Sequence, residues 1–161
     1  MKLLILNGPN LNLLGTREPD IYGRASYDDL CKLISQHAAA IGCEAEVRQS
    51  NHEGALIDAI QGAQGVYGGI VINPGAYAHY SYAIYDALRA VDVPAVEVHL
   101  TDITAREPFR AVSVTAAACV KTICGHGMQG YTEAMDYLKA NAPERGEKKA
   151  PLAGCVGAPI V

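Results

Sequence analysis

Leu3-Leu4-Ile5-Leu6 is an apolar run too short for a helix or a membrane span, and it stops at Asn7-Gly8-Pro9. A run of this length bounded by breakers reads as a strand buried on both faces. That restricts the chain to a parallel sheet covered by helices. The remainder alternates accordingly. Ser26 caps a helix over about 27–41, with Asp28 and Asp29 in its first turn and Gly42 past its end. Leu30, Leu33, Ile34, Ala38 and Ile41 recur there at helical spacing. Residues 43–48 read as a second strand and 55–63 as a second helix. A third strand spans 66–72, ended by Asn73-Pro74-Gly75, and a third helix about 80–90. A fourth strand spans 94–98, a fifth 119–123 ended by Gly125, and a last helix 129–140.

Alternating strands and helices imply an α/β fold. Five strands favour a flavodoxin-like, doubly wound parallel sheet in the order 2-1-3-4-5. At 161 residues the chain suits one domain, placed at 1–140, with 141–161 as a loose tail rich in Pro, Gly, Ala and Lys. A formal net charge of −4 gives no footprint for nucleic acid or an anionic membrane, so neither is expected as a partner. The five cysteines, Cys31, Cys43, Cys119, Cys124 and Cys155, contain no C-x-x-C pair, and a reducing cytoplasm is expected. The N-terminal apolar run is too short for a signal peptide, and no stretch reaches transmembrane length.

In such sheets ligands bind beyond the carboxyl ends of the strands. That rule selects 7–23, 73–79 and 99–110. The first segment lies in a long loop, 7–25, and carries Asn10, Asn12, Arg17 and Tyr22. A guanidinium beside a phenol favours the phenolate, so Arg17 and Tyr22 together suit proton abstraction next to a carbonyl. From spacing alone a packed Tyr22 and a solvated Arg17 are the plainer reading. The second segment carries Asn73, Gly75 and His79, which suit either hydroxyl and carboxylate recognition or a helix-capping turn. In the third, Glu97 and His99 point to one face of the fourth strand. A carboxylate orienting an imidazole makes a general acid, and burying such a pair without a use is costly. Arg106 and Arg110 follow, as anion ligands or as a solvated basic face.

Other chemistries lack their patterns. The five histidines show no H-x-x-x-H, and neither a P-loop nor G-x-G-x-x-G follows the first strand. There is no G-x-S-x-G elbow. A non-catalytic or nucleotide-binding module, and an assembly protein that lost activity, are the competing classes. An intact Arg17, Tyr22, Glu97 and His99 set favours an enzyme over both.

The segments LNGPNLNLLGTREPDIYG (6–23), QSNHEG (49–54), INPGAYAH (72–79), EVHLTD (97–102), REPFR (106–110) and GY (130–131) are long and ordered. On them the chain resembles the type II 3-dehydroquinate dehydratase family over about 3–140. The resemblance implies trans elimination of water from 3-dehydroquinate through an enolate, without cofactor or metal. By motif, Tyr22 takes the proton, Arg17 assists it, His99 protonates the leaving hydroxyl, Glu97 orients His99, and Asn10 helps to hold the enolate. Asn73, His79, Arg110 and the backbone of Leu100 and Thr101 bind substrate, with Arg106 near Tyr22. The resemblance also implies dodecamers built from trimers, with Asp86 reaching a neighbour's site. The chain departs from the family pattern at Ala78, Tyr80, Tyr82, Tyr85 and Asp102. These departures leave each expected catalytic residue in place but bear on the trimer contact and the carboxylate pocket.

Overall fold

Parallel strand pairing organises the computed structural model, which describes residues 1–16, 25–105 and 107–141. Strands β1 (Lys2–Asn7), β2 (Glu44–Gln49), β3 (Gly69–Asn73), β4 (Ala95–His99) and β5 (Lys121–Cys124) form one sheet in the order β2-β1-β3-β4-β5, all pairs parallel. This is the expected flavodoxin-like order. Helices α1 (Tyr27–Ala40) and α4 (Gln129–Ala140) cover one face, packing on Leu3, Ile5, Val71, Val96 and Val98. Helices α2 (Glu53–Gln61) and α3 (Tyr82–Ala90) cover the other, on Leu4, Leu6, Ile70 and Ile72. Adjacent residues of β1 therefore feed opposite cores, and for that reason the run is apolar without alternation. Truncating one such side chain to Ala costs about 2–5 kcal/mol.

Local chemistry sets the ends of the elements. The Ser26 hydroxyl accepts from the Asp29 amide while the Asp29 carboxylate accepts from the Ser26 amide, a closed capping box that starts α1. Ser81 caps α3 by accepting from the Ile84 amide, so this helix begins at Tyr82 and a 3-10 turn occupies Gly75–His79. Helix α2 runs from Glu53, two residues before the expected start, and ends at Gln61.

Two strands begin later than their residue types suggest. The amides of Val66 and Tyr67 bond back to the Ala63 carbonyl, which keeps them in the turn after α2, and β3 starts at Gly69. Thr115–Ala118 form a 3-10 turn and the Cys119 amide bonds to Ala116, so β5 starts at Lys121. The expected loop 7–25 contains a 3-10 turn at Leu11–Leu13. Arg17, Tyr22, Arg106 and the expected tail beyond Asn141 lie outside the described residues. Among the described residues, no helix is long and apolar enough to cross a membrane.

Candidate active site

The carboxyl ends of β1 and β3 are clasped together by backbone. The Gly8 amide donates to the Asn73 carbonyl at 2.8 Å. A Cβ at Gly8 would lie 2.3 Å from the Pro74 carbonyl oxygen, so only glycine fits. The following residue but one, Asn10, adopts φ 66°, a left-handed conformation that Asn tolerates better than most residues. Gln49 and Asn51, from the end of β2, hold this bend. Gln49 Nε2 donates to the Gly8 carbonyl at 3.1 Å, and Asn51 Oδ1 accepts from the Asn10 amide at 3.0 Å. The QSN stretch at 49–51 thus shapes the loop after β1.

A cleft opens at this end of the sheet. Pro9, Asn10, Leu11 and Leu14 line it after β1, Asn73, Gly75, Ala76 and His79 at and after the end of β3, and His99, Leu100, Thr101 and Ile103 at and after the end of β4, with Arg110 closing one side. Its empty volume, open mouth included, is about 620 Å³. Asn10, Asn73, His79, His99, Leu100, Thr101 and Arg110, all expected from the sequence, meet here. Asp86 does not: it stands exposed on α3.

Glu97 is wholly buried beside the cleft and meets His99, whose Nε2 lies 2.7 Å from Glu97 Oε1. Contact through Nε2 leaves Nδ1 as the nitrogen available to a ligand. Ser113 Oγ donates to Glu97 Oε1 at 2.6 Å and Thr115 Oγ1 to Oε2 at 2.5 Å. A buried carboxylate would otherwise be strongly disfavoured. The His79 ring lies nearly parallel to that of His99, with centroids 6.4 Å apart, and its Nδ1 donates to the Val112 carbonyl at 2.9 Å. Arg110 is anchored by Glu107, Nε to Oε2 at 2.8 Å.

Asn73 is more constrained than its sequence context suggests. Its Oδ1 accepts from the Gly75 amide at 3.2 Å and its Nδ2 donates to the buried Tyr131 hydroxyl at 3.0 Å. Each Nδ2 carries two hydrogens, so one remains for a ligand. Burial pushes the Tyr131 phenol up, and burial pushes Tyr27, which meets Asn7, up to about 12. Both tyrosines therefore serve as neutral hydrogen-bonding groups rather than as bases. Burial, aided by the Glu97 and Asp102 carboxylates, also raises the Cys124 thiol, which argues against a thiolate nucleophile at the end of β5.

Asp102, one of the departures from the family pattern, turns its carboxylate to Thr104. Its Oδ1 accepts from the Thr104 amide and hydroxyl at 2.9 and 2.7 Å, bonds that hold its carboxyl below the usual range. Tyr80 and Tyr82 are 59% and 68% exposed, and Tyr85 accepts from Arg89 on the same helix. Ser113, Thr115, Asn7 and the apolar lining from Leu11, Leu14 and Ile103 were not singled out by sequence reasoning. Among the described residues, no group of three His, Cys, Asp or Glu is arranged to hold a metal ion.

Comparison with known proteins places these features in context. The family model described as Dehydroquinase class II matches residues 1–139. A 3-dehydroquinate dehydratase of Clostridium acetobutylicum is 53% identical over 139 residues, 86% of this chain and 96% of that relative. A catabolic 3-dehydroquinase of Aspergillus oryzae is 49% identical over 148 residues, 92% of this chain and 97% of that relative. The crystal structure of a type II dehydroquinase from Butyrivibrio crossotus matches with a TM-score of 0.85 at 50% identity, covering 86% of this chain and 97% of that one.

Proposed function

Because the chain belongs to the class II dehydroquinase family, we propose that it is a hydro-lyase that converts 3-dehydroquinate to 3-dehydroshikimate and water, a step of the shikimate pathway. The observation that carries this reading is the meeting of His99, held by Glu97, with Asn73, His79 and Arg110 around one cleft at the strand ends. A small ring acid with several hydroxyls matches those groups. Arg110 and the amides of Leu100 and Thr101 suit its carboxylate, and Asn73 and His79 suit its hydroxyls.

In the proposed reaction Tyr22, assisted by Arg17, removes the C2 proton, and the electrons of that C–H bond move onto the carbonyl to give an enolate. Asn10 supports the enolate through water. The enolate then re-forms the carbonyl and expels the C1 hydroxyl, which takes a proton from His99 Nδ1 and leaves as water. One C–H and one C–O bond break and one C=C bond forms. Proton return from Tyr22 to His99 through solvent resets the site, so the step balances with water as its one by-product. Arg106 acts near Tyr22.

Residues 1–140 form the catalytic domain in this proposal, with 141–161 as a tail. The chain works in the cytoplasm as a dodecamer built from trimers, Asp86 of each copy serving a neighbour's site. Purified protein mixed with 3-dehydroquinate is expected to develop the ultraviolet absorbance of a conjugated enone. Absence of that signal at high protein concentration overturns the reading. Light scattering of the purified protein tests the assembly.

A further inference from the structure

Thr115 is wholly buried, with its hydroxyl 2.5 Å from Glu97 Oε2. Ser113, two residues earlier, directs its hydroxyl to Glu97 Oε1 at 2.6 Å, where His99 Nε2 also meets that oxygen at 2.7 Å. A hydroxyl has one proton to give. Both are spent on the same carboxylate, which, among the described residues, accepts three bonds and has no Lys or Arg as a hydrogen-bond partner. Two neutral hydroxyls therefore replace the hydration that a buried carboxylate has lost.

The same short segment reaches the second histidine. The Val112 carbonyl accepts from His79 Nδ1, and the Val114 amide donates to the Ala78 carbonyl at 2.8 Å. Residues 112–115 are thereby bonded to the Gly75–His79 turn on one side and to Glu97 on the other. The two imidazoles they hold are stacked with an interplanar angle of 17°.

We propose that Ser113 and Thr115 are positioning residues for the acid step: their hydroxyls hold the Glu97 carboxylate in the orientation that keeps His99 Nε2 turned inward and Nδ1 aimed into the cleft. The inference rests on the dehydratase reading for its kinetic consequence, but the geometry it concerns is independent of turnover. If the Thr115 hydroxyl is lost, Oε2 of a buried carboxylate lacks its donor, and if the Ser113 hydroxyl is lost, Oε1 keeps His99 alone. The carboxylate then rotates or takes up a proton, and the bond that orients His99 weakens. Neither Ser113 nor Thr115 lines the cleft, so substrate binding is spared.

The test compares Thr115→Val, which keeps the shape and removes the hydroxyl, with Thr115→Ser, which keeps the hydroxyl and removes a methyl group. Thr115→Val is expected to lower kcat about tenfold or more with KM changed less than about threefold, the scale of one hydrogen bond to a charged group. Thr115→Ser is expected to recover kcat to within about threefold of the parent. In proton and nitrogen NMR of the histidine side chains, assigned by difference with His99→Gln, the His99 Nε2–H resonance is expected in the parent and in Thr115→Ser, and lost to solvent exchange in Thr115→Val. Unchanged kcat in Thr115→Val, or Thr115→Ser as impaired as Thr115→Val, or an unchanged resonance, overturns the proposal. If Thr115→Val does not fold, Ser113→Ala is measured by the same readouts, with the same outcomes. A parent protein that does not turn over 3-dehydroquinate sinks the dehydratase reading alone, and the resonance comparison still decides the positioning role.

Discussion

Tyr131, wholly buried on α4, accepts a hydrogen bond from Asn73 Nδ2 at 3.0 Å and passes its own proton to Asn7 Oδ1 at 2.6 Å. One phenol thus ties together the last residues of β1 and β3, beneath the cleft. Tyr131→Phe would leave two buried amide groups short of a partner. A loss of about 1–3 kcal/mol is expected, read as a lower urea midpoint with an unchanged slope. KM for substrate should rise with it, because the Asn73 amide is freed. A midpoint equal to that of the parent contradicts the structural role.

Gly8 and Gly54 should respond in opposite directions to alanine. At Gly8 the new Cβ meets the Pro74 carbonyl oxygen at 2.3 Å, a backbone atom that cannot swing aside. Gly8→Ala should cost about 1–3 kcal/mol or more and lower activity by parting the two strand ends. At Gly54, in the first turn of α2, no atom lies within 4 Å of the added Cβ. Gly54→Ala should raise stability by about 0.5–1 kcal/mol. Thermal midpoints of the two variants decide both.

His99→Gln keeps a polar side chain of similar length but cannot give up a proton. It should lower kcat by about 100-fold or more while KM stays close to the parent value. Tyr22→Phe should nearly abolish turnover and spare ligand binding, measured by calorimetry. Near-normal turnover in either variant removes that residue from the proposed chemistry.

Acid should weaken one corner of the sheet. Glu46 on β2 receives Lys2 Nζ at 2.8 Å, the Tyr67 hydroxyl at 2.6 Å and Arg48 through Nε and Nη2 at 2.8 and 2.6 Å. With Lys2 the largest influence, these hold its carboxyl down from 4.5 to about 2. A carboxyl depressed on folding adds stability that is complete above its unfolded value and fades as pH falls through its folded value. The difference in thermal midpoint between the parent and Glu46→Gln should therefore shrink as pH is lowered from about 4.5 towards about 2. A difference constant across that window contradicts the linkage. The Glu46 side chain is about one-third exposed, so the effect is modest and declines with salt.

Much of the site was legible because strand ends are marked locally. Apolar runs that stop at Asn7-Gly8-Pro9 and Asn73-Pro74-Gly75 announce where β1 and β3 end, and the parallel order then brings those ends to one edge. Asn10, Asn73, His79, His99 and Arg110 follow from that rule. The starts of β3 and β5 were not legible in the sequence, because Val66, Tyr67 and Val120 are strand-forming residue types whose places are set by turn hydrogen bonds and by the strand register.

Patterning along the chain settled the layering, the strand order and the edge at which chemistry gathers, since apolar periodicity and chain breakers act over a few residues. Partnership between distant polar groups came from packing. Ser113 and Thr115 stand 16 and 18 residues from Glu97, and Tyr131 stands 58 from Asn73. Nothing in their neighbours advertises those pairings. Once the fold buries a carboxylate or an amide, it must bond to whichever donor or acceptor the topology sets beside it, and that neighbour exists only after the chain has returned.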